Sequence, residues 1–136
     1  YGLPSTLMSS LQRVQNSAAR LVTFTKRTEH ISPILRNLHW LPVKKRINFK
    51  LLLLTYKAVH GFAPAYICDI ISPVTNSNLR SYSQLKLKPG PRVKTSFYGD
   101  RAFAVAAPKL WNNIPYDIRT SNSIELFKSK LKTYLF

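Results

Sequence analysis

A single cysteine, Cys68, stands in this chain of 136 residues. With one thiol there is no intramolecular disulfide and no cysteine-based zinc site. Its neighbours Ile67, Ile70 and Ile71 make it a small buried apolar group in the expected fold. Acidic residues are nearly as scarce, 5 against 21 Lys and Arg, for a net charge of +16. Self-repulsion of that size opposes a compact state and brings nothing to folding, so a polyanionic partner is expected. Nucleic acid fits better than an anionic membrane, because the cations are spread along the whole chain and are not gathered beside one aromatic amphipathic segment. No apolar run in the chain, that at residues 51–54 included, approaches the roughly 20 residues that span a bilayer. The sequence starts at Tyr1, not Met, and shows no charged and apolar leader, so the expectation is a piece of a longer protein with no secretory signal visible.

Catalytic patterns are missing too. Polymerase-type phosphoryl transfer needs carboxylates converging on two metal ions, and Asp69, Asp100 and Asp117 are far apart in sequence. His30, His39 and His60 are equally scattered and fall where helices start or end, which suits satisfied polar groups more than a metal site or a general base. No GxxxxGK loop or GxGxxG turn offers a phosphate cradle. No cofactor, metal or small-molecule substrate is implied, and the chain reads as no enzyme by itself.

What the sequence does have is helical period. Residues 38–61 read LHWLPVKKRINFKLLLLTYKAVHG, with Pro42 suited to a first turn and Gly61 to the left-handed position past a helix end. At about 100° per residue, Ile47, Leu51, Leu54 and Ala58 form one apolar stripe and Phe49, Leu52, Tyr56 and Val59 a second. A helix apolar nearly all round is a buried one. The gap in its apolar coat falls at Arg46, Lys50 and Lys57, which lie within about 40° of one another.

Residues 5–22 predict an amphipathic helix with Leu7, Leu11, Val14, Ala18, Leu21 and Val22 on one face and Arg13 and Arg20 pointing away, capped by Ser5 or Thr6. A short helix follows from Ser32 and Pro33 to Leu38, and Trp40 is a core anchor with a bonded indole N–H. Another short helix runs from Ala63 and Pro64 to about Ile71. Asn76, Ser77, Asn78 and Ser81 read as loop. Leu85 and Leu87 then alternate with Lys86 and Lys88; Pro89, Gly90 and Pro91 supply a turn; Val93, Thr95 and Phe97 alternate with Lys94 and Ser96. This predicts a small β-hairpin over about 84–97 with an outer face of Lys86, Lys88 and Lys94, and Arg92 near the turn. Asp100 is a plausible cap for a helix over 101–106, Pro108 opens a further turn through Trp111, and Phe103 and Trp111 are expected to be structural. Asn122 and Glu125 resemble a capping box for a last helix whose Ile124, Phe127, Leu131, Tyr134 and Leu135 share a face. The fold class is therefore mainly α: a single compact helical domain around a central buried helix at about 43–60, with one small hairpin.

Four strings, LQRVQNSAARLVT at 11–23, LHWLPVKKRINFKLLLLTYKAVHGFAPAYI at 38–67, YGDRAFAVAAPKLWNNIP at 98–115 and FKSKLKTYLF at 127–136, resemble the C-terminal region of LINE-type (non-LTR) retrotransposon reverse transcriptases. The similarity covers essentially the whole chain in order. It implies an accessory domain of a polyprotein that is an RNA-directed DNA polymerase, following the polymerase itself, with element RNA or target DNA as partner and a cytoplasmic ribonucleoprotein and the nucleus as its locations. It carries over no catalysis, since the paired aspartates of the polymerase, the acidic and histidine residues of the endonuclease and the Cys/His knuckle of some such elements have no counterpart here.

The expected role is a basic, non-catalytic domain holding nucleic acid during target-primed reverse transcription. Arg46, Lys50 and Lys57 lead the candidate contacts, Arg13 and Arg20 extend them if the first and central helices pack side by side, and Lys86, Lys88, Arg92 and Lys94 form a second set. The alternatives are a protein-interaction or structural module docking its first and last helices on the upstream polymerase region, or a non-functional fragment of a decayed element.

Overall fold

The computed structural model describes residues 1–75 and 84–136 and runs through helices α1 (Ser5–Thr23), α2 (Ile31–Asn37), α3 (Val43–Val59), α4 (Ala65–Cys68), α5 (Ser96–Gly99), α6 (Phe103–Asn113), α7 (Tyr116–Arg119) and α8 (Ile124–Leu135). The domain is mainly α, and α3 is its hub, packed on α6, α8, α1 and α4. Pro42 immediately precedes its first turn in an extended conformation (φ −52°, ψ 148°), and Gly61 follows its end at φ 72°. Leu52, Thr55, Tyr56 and Ala58 are its buried residues. Leu52, Tyr56 and Ala58 meet Leu87, Trp111, Ile118, Phe127 and Leu131 in the main core. The Tyr56 ring stacks on Phe127 with centroids 4.3 Å apart, and its hydroxyl donates to the Ser121 carbonyl at 2.8 Å.

The burial of α3 is more one-sided than its apolar coat implies, since Ile47, Leu51 and Leu54 are only half-buried. Helix α1 departs further. Its one buried residue is Ala19, while Leu7, Leu11, Val14, Leu21 and Val22 are exposed. The face turned inward is the polar one. Gln12 Oε1 accepts from the Val43 amide at 2.9 Å, and Gln15 Nε2 donates to the Leu41 carbonyl at 2.8 Å. The first turn of α3 has no side-chain cap of its own, so Gln12 from another helix serves one of its orphan amides. Ala19, Ile34, Leu35 and the half-buried Trp40 form a second, smaller cluster between α1 and α2.

The hairpin expected over 84–97 is not formed. Residues 86–88 pair instead with 72–74 through a single antiparallel bridge, Pro73 to Leu87, with the Val74 amide on the Lys86 carbonyl at 3.0 Å and the Lys88 amide on the Ser72 carbonyl at 2.8 Å. Leu85 breaks the alternation with φ 51°, and the C-terminal half of the expected second strand winds into α5. The alternating Leu and Lys residues were a true signal of extended chain only around the buried Leu87. Its other backbone partner is a side chain: Asn112 Oδ1 accepts from the Leu87 amide and Asn112 Nδ2 donates to the Leu87 carbonyl, each at 2.9 Å. The loop expected over 76–81 lies outside the described residues.

Two further boundaries differ. One helix, α6, replaces the helix over 101–106 and the further turn expected from Pro108, which sits inside it. The cap of α8 is Ser123, one residue after Asn122, with its hydroxyl accepting from the Leu126 amide at 3.2 Å. Trp111 is fully buried, with its indole N–H on the Leu85 carbonyl at 2.8 Å, and Phe103 packs against the same core.

Candidate nucleic-acid interface

Helical period puts Arg46, Lys50 and Lys57 on one line of α3, with rises of about 6 Å and about 10 Å between them. Arg46 and Lys50 are exposed and Lys57 half-buried. Arg46 and Lys50 rim a shallow groove of about 440 Å³ whose floor is Ile47, Leu51 and Leu54, with Tyr1 at one end. Neither Asp nor Glu occurs between Lys44 and Lys57. Among the described residues the three cations donate to no protein acceptor, in contrast with Lys130, held on the Asp117 carbonyl at 3.1 Å. They are charged ends on apolar stems, laid over a half-buried face and available to an anion.

Helices α1 and α3 do pack together, yet Arg13 and Arg20 do not continue this line. They sit with Arg27, Leu21 and Phe24 in a separate depression of about 750 Å³. Arg20 is partly committed, donating to the Lys26 carbonyl at 2.7 Å and the Glu29 carbonyl at 2.8 Å. Arg27 joins because Phe24 turns the chain back with φ 53°. The sevenfold spacing of Arg13, Arg20 and Arg27 was the one sequence signal for this cluster, and it was masked by the end of the helix at Thr23.

The second expected set is dispersed by the loss of the hairpin. Lys86 and Lys88 flank the buried Leu87 in the short extended piece, Lys86 half-buried and Lys88 exposed, while exposed Arg92 and Lys94 belong to the irregular stretch that leads into α5. No single hairpin face presents all four. Another cleft, of about 710 Å³, opens between the start of α1, α3 and α6, and Lys44, Arg101, Lys109 and Asp100 contribute to its walls. Asp100 thus lines a cleft; the residue before α6 is Ala102, with no side-chain cap.

Other polar groups lie at or near helix ends. His60 Nδ1 lies 2.9 Å from the Tyr56 carbonyl, and its ring stacks on Tyr56. Cys68 Sγ donates to the Ala63 carbonyl at 3.4 Å. Asp69 follows the last turn of α4, and Asp117 lies in the first turn of α7. Among the described residues no three His, Cys, Asp or Glu side chains gather as metal ligands, and no helix is long and apolar enough to cross a membrane. No protein-family model matches the chain, nor does any curated protein or solved structure.

Proposed function

We propose that the domain binds nucleic acid through its phosphates, without catalysing a reaction on it, as the accessory part that follows the polymerase in a LINE-type reverse transcriptase. The observation that carries this reading is the α3 line of Arg46, Lys50 and Lys57, one sign of charge on one helix face with no carboxylate to relieve it. Like charges four residues apart repel by up to a few tenths of a kcal/mol. A solvated polar strip needs no such uniformity of sign, whereas a phosphate backbone crossing the helix does. The excess of 21 basic over 5 acidic residues supplies the long-range attraction that brings a polyanion to this face.

A salt titration of binding to single-stranded RNA, duplex DNA and a nicked junction tests it. With about 6 phosphate contacts the log–log slope on duplex is near −5, and it is shallower on single strands. Replacing Arg46, Lys50 and Lys57 together by Gln leaves the fold intact, weakens binding evenly across sequences and lowers the slope by about 3 units. An unchanged slope in the folded triple variant places the binding face elsewhere, and a flat salt response of the parent on all three ligands sinks the reading.

The exposed apolar face of α1 favours a second reading, in which the domain is also an interaction module that docks on a neighbouring protein segment such as the polymerase region before it.

A further inference from the structure

Phe24 stands where local stability does not favour a phenylalanine. Its φ of 53° is the left-handed conformation that ends α1, a place better suited to Gly or Asn. Its side chain is 94% exposed, so the ring gains almost nothing from burial. The turn that carries it is nevertheless well held. The Phe24 and Thr25 amides both donate to the Arg20 carbonyl, and the Arg20 guanidinium donates to the Lys26 and Glu29 carbonyls of the chain that follows. An aromatic ring is thus presented to solvent on a fixed support.

Its surroundings are cationic. Arg13, Ser17, Arg20 and Phe24 follow one another at spacings of four, three and four residues, which puts them along one line of α1 and its cap. This is a third side of the helix, roughly 130° round from both the exposed apolar stripe and the inward side of Gln12, Gln15 and Ala19. Arg27 lines the same depression, and Asn16, Ser17 and Thr25 add neutral hydrogen-bonding groups to it. Among the described residues Arg13 and Arg27 donate to no protein acceptor. No carboxylate lines the depression; the nearest in sequence, Glu29, lines a different one beside Thr23, His30 and Asn37.

Guanidinium groups call for phosphates, an exposed ring for a flat apolar face, and amide and hydroxyl groups beside it for polar edges. A nucleotide with an unstacked base offers all three at once. A duplex covers its base faces by stacking, an acidic peptide leaves the ring without a flat partner, and a lipid surface would be met by the apolar stripe on another side of α1. We propose that Phe24, with Arg13, Arg20 and Arg27, is a second nucleic-acid site, apart from α3, that takes an unpaired segment: a base stacks on Phe24 and the flanking phosphates meet Arg13 and Arg27. The inference rests on the nucleic-acid reading for its class of ligand and on none of the α3 residues.

Fluorescence anisotropy of the full chain with two labelled single strands of equal length, oligo(dT) and its abasic counterpart, separates bases from phosphates. The parent binds oligo(dT) about tenfold more tightly than the abasic strand. Phe24→Asn, which suits the left-handed φ, does not lower the melting temperature, removes that preference and binds the abasic strand as the parent does; Phe24→Tyr keeps the preference. Arg13→Gln with Arg27→Gln weakens both strands and lowers the salt slope by about 1 to 1.5 units. Equal binding of the two strands by the parent, or a preference that survives in Phe24→Asn, overturns the proposal and leaves phosphate binding at α3 standing, whereas a parent that binds no nucleic acid sinks both. A loss in Phe24→Asn that is as large on duplex DNA makes the ring a wedge between base steps and overturns it too. So does binding to phosphatidylserine vesicles or to polyglutamate that is lost in Phe24→Asn, which gives the site to lipid or to an acidic protein.

Discussion

Gly90 lies against the main chain of Ala104, four residues before Pro108 in α6. A Cβ on Gly90 collides with the Ala104 carbonyl oxygen and comes within 2.8 Å of Val105 Cα. The carbonyl is the one that Pro108, having no N–H, leaves without its helical partner. Closing the 84–95 segment over that point takes a residue with no side chain, whose Cα–H faces the oxygen as a weak donor. The proline expected to open a separate turn is thus accommodated inside one helix by a glycine of the segment that precedes it.

Gly90→Ala is expected to cost about 1 to 3 kcal/mol, since neither a helix backbone nor a core-facing segment gives way cheaply. The check is a lower urea midpoint with an unchanged m-value. A variant as stable as the parent places slack in this contact and makes the glycine incidental.

Asn112 acts toward Leu87 as a neighbouring strand does, exchanging two hydrogen bonds with its amide and carbonyl. Asn112→Ala leaves both backbone groups buried without partners, at about 1 to 3 kcal/mol each. Asn112→Asp keeps only the acceptor, so it restores the bond to the amide and loses the one to the carbonyl. Amide hydrogen exchange at Leu87 reads this directly: fast in the alanine variant, and slower in the aspartate variant under conditions where both stay folded.

The positions of α1, α3 and α8 were legible because helical period, Pro42 and Gly61 act locally. The face that α1 buries was not. Its apolar stripe is the stronger pattern, and only the tertiary fold reveals that the start of α3 takes its cap from Gln12. The basic line on α3 was legible by period alone, whereas Arg27 enters its cluster through the left-handed Phe24, a conformation that phenylalanine does not advertise. The hairpin misread has a like cause. Alternation of Leu and Lys marks extended chain, but the partner of Leu87 is a side chain of α6 and a bridge to Pro73, both beyond the reach of local pattern.

Tyr56 is 1% exposed, and burial first, then the nearby negative charge of Glu125, raises its phenol above the usual 10.0. The folded state therefore holds this proton more tightly than the unfolded chain does. Its contribution is complete below the unfolded value and is lost as pH rises through the folded one. Tyr56→Phe removes the bond to the Ser121 carbonyl and costs about 1 to 2 kcal/mol at neutral pH. The gap between parent and variant is expected to narrow above pH 10 in denaturant titrations. A gap that stays constant to higher pH assigns the alkaline loss of stability to other groups.

Arg119 is the buried cation of α7, 4% exposed. Its Nη1 reaches the Asn112 carbonyl only at 3.4 Å, and its Nε has no hydrogen-bond partner. Desolvation lowers its affinity for its proton, with the Tyr116 phenol working weakly the other way. A guanidinium taken from water with so few acceptors in return sets its desolvation cost against little attraction. Its aliphatic stem, by contrast, is buried with the rest of the side chain, directly after the core residue Ile118. Methionine keeps most of that stem and discards the charge, so Arg119→Met is expected to raise stability by about 1 kcal/mol or more. Arg119→Ala discards the stem as well, leaves a cavity and lowers stability. Urea midpoints of the two variants against the parent decide the matter. If methionine destabilises as much as alanine, the guanidinium is held by interactions stronger than its bond to Asn112.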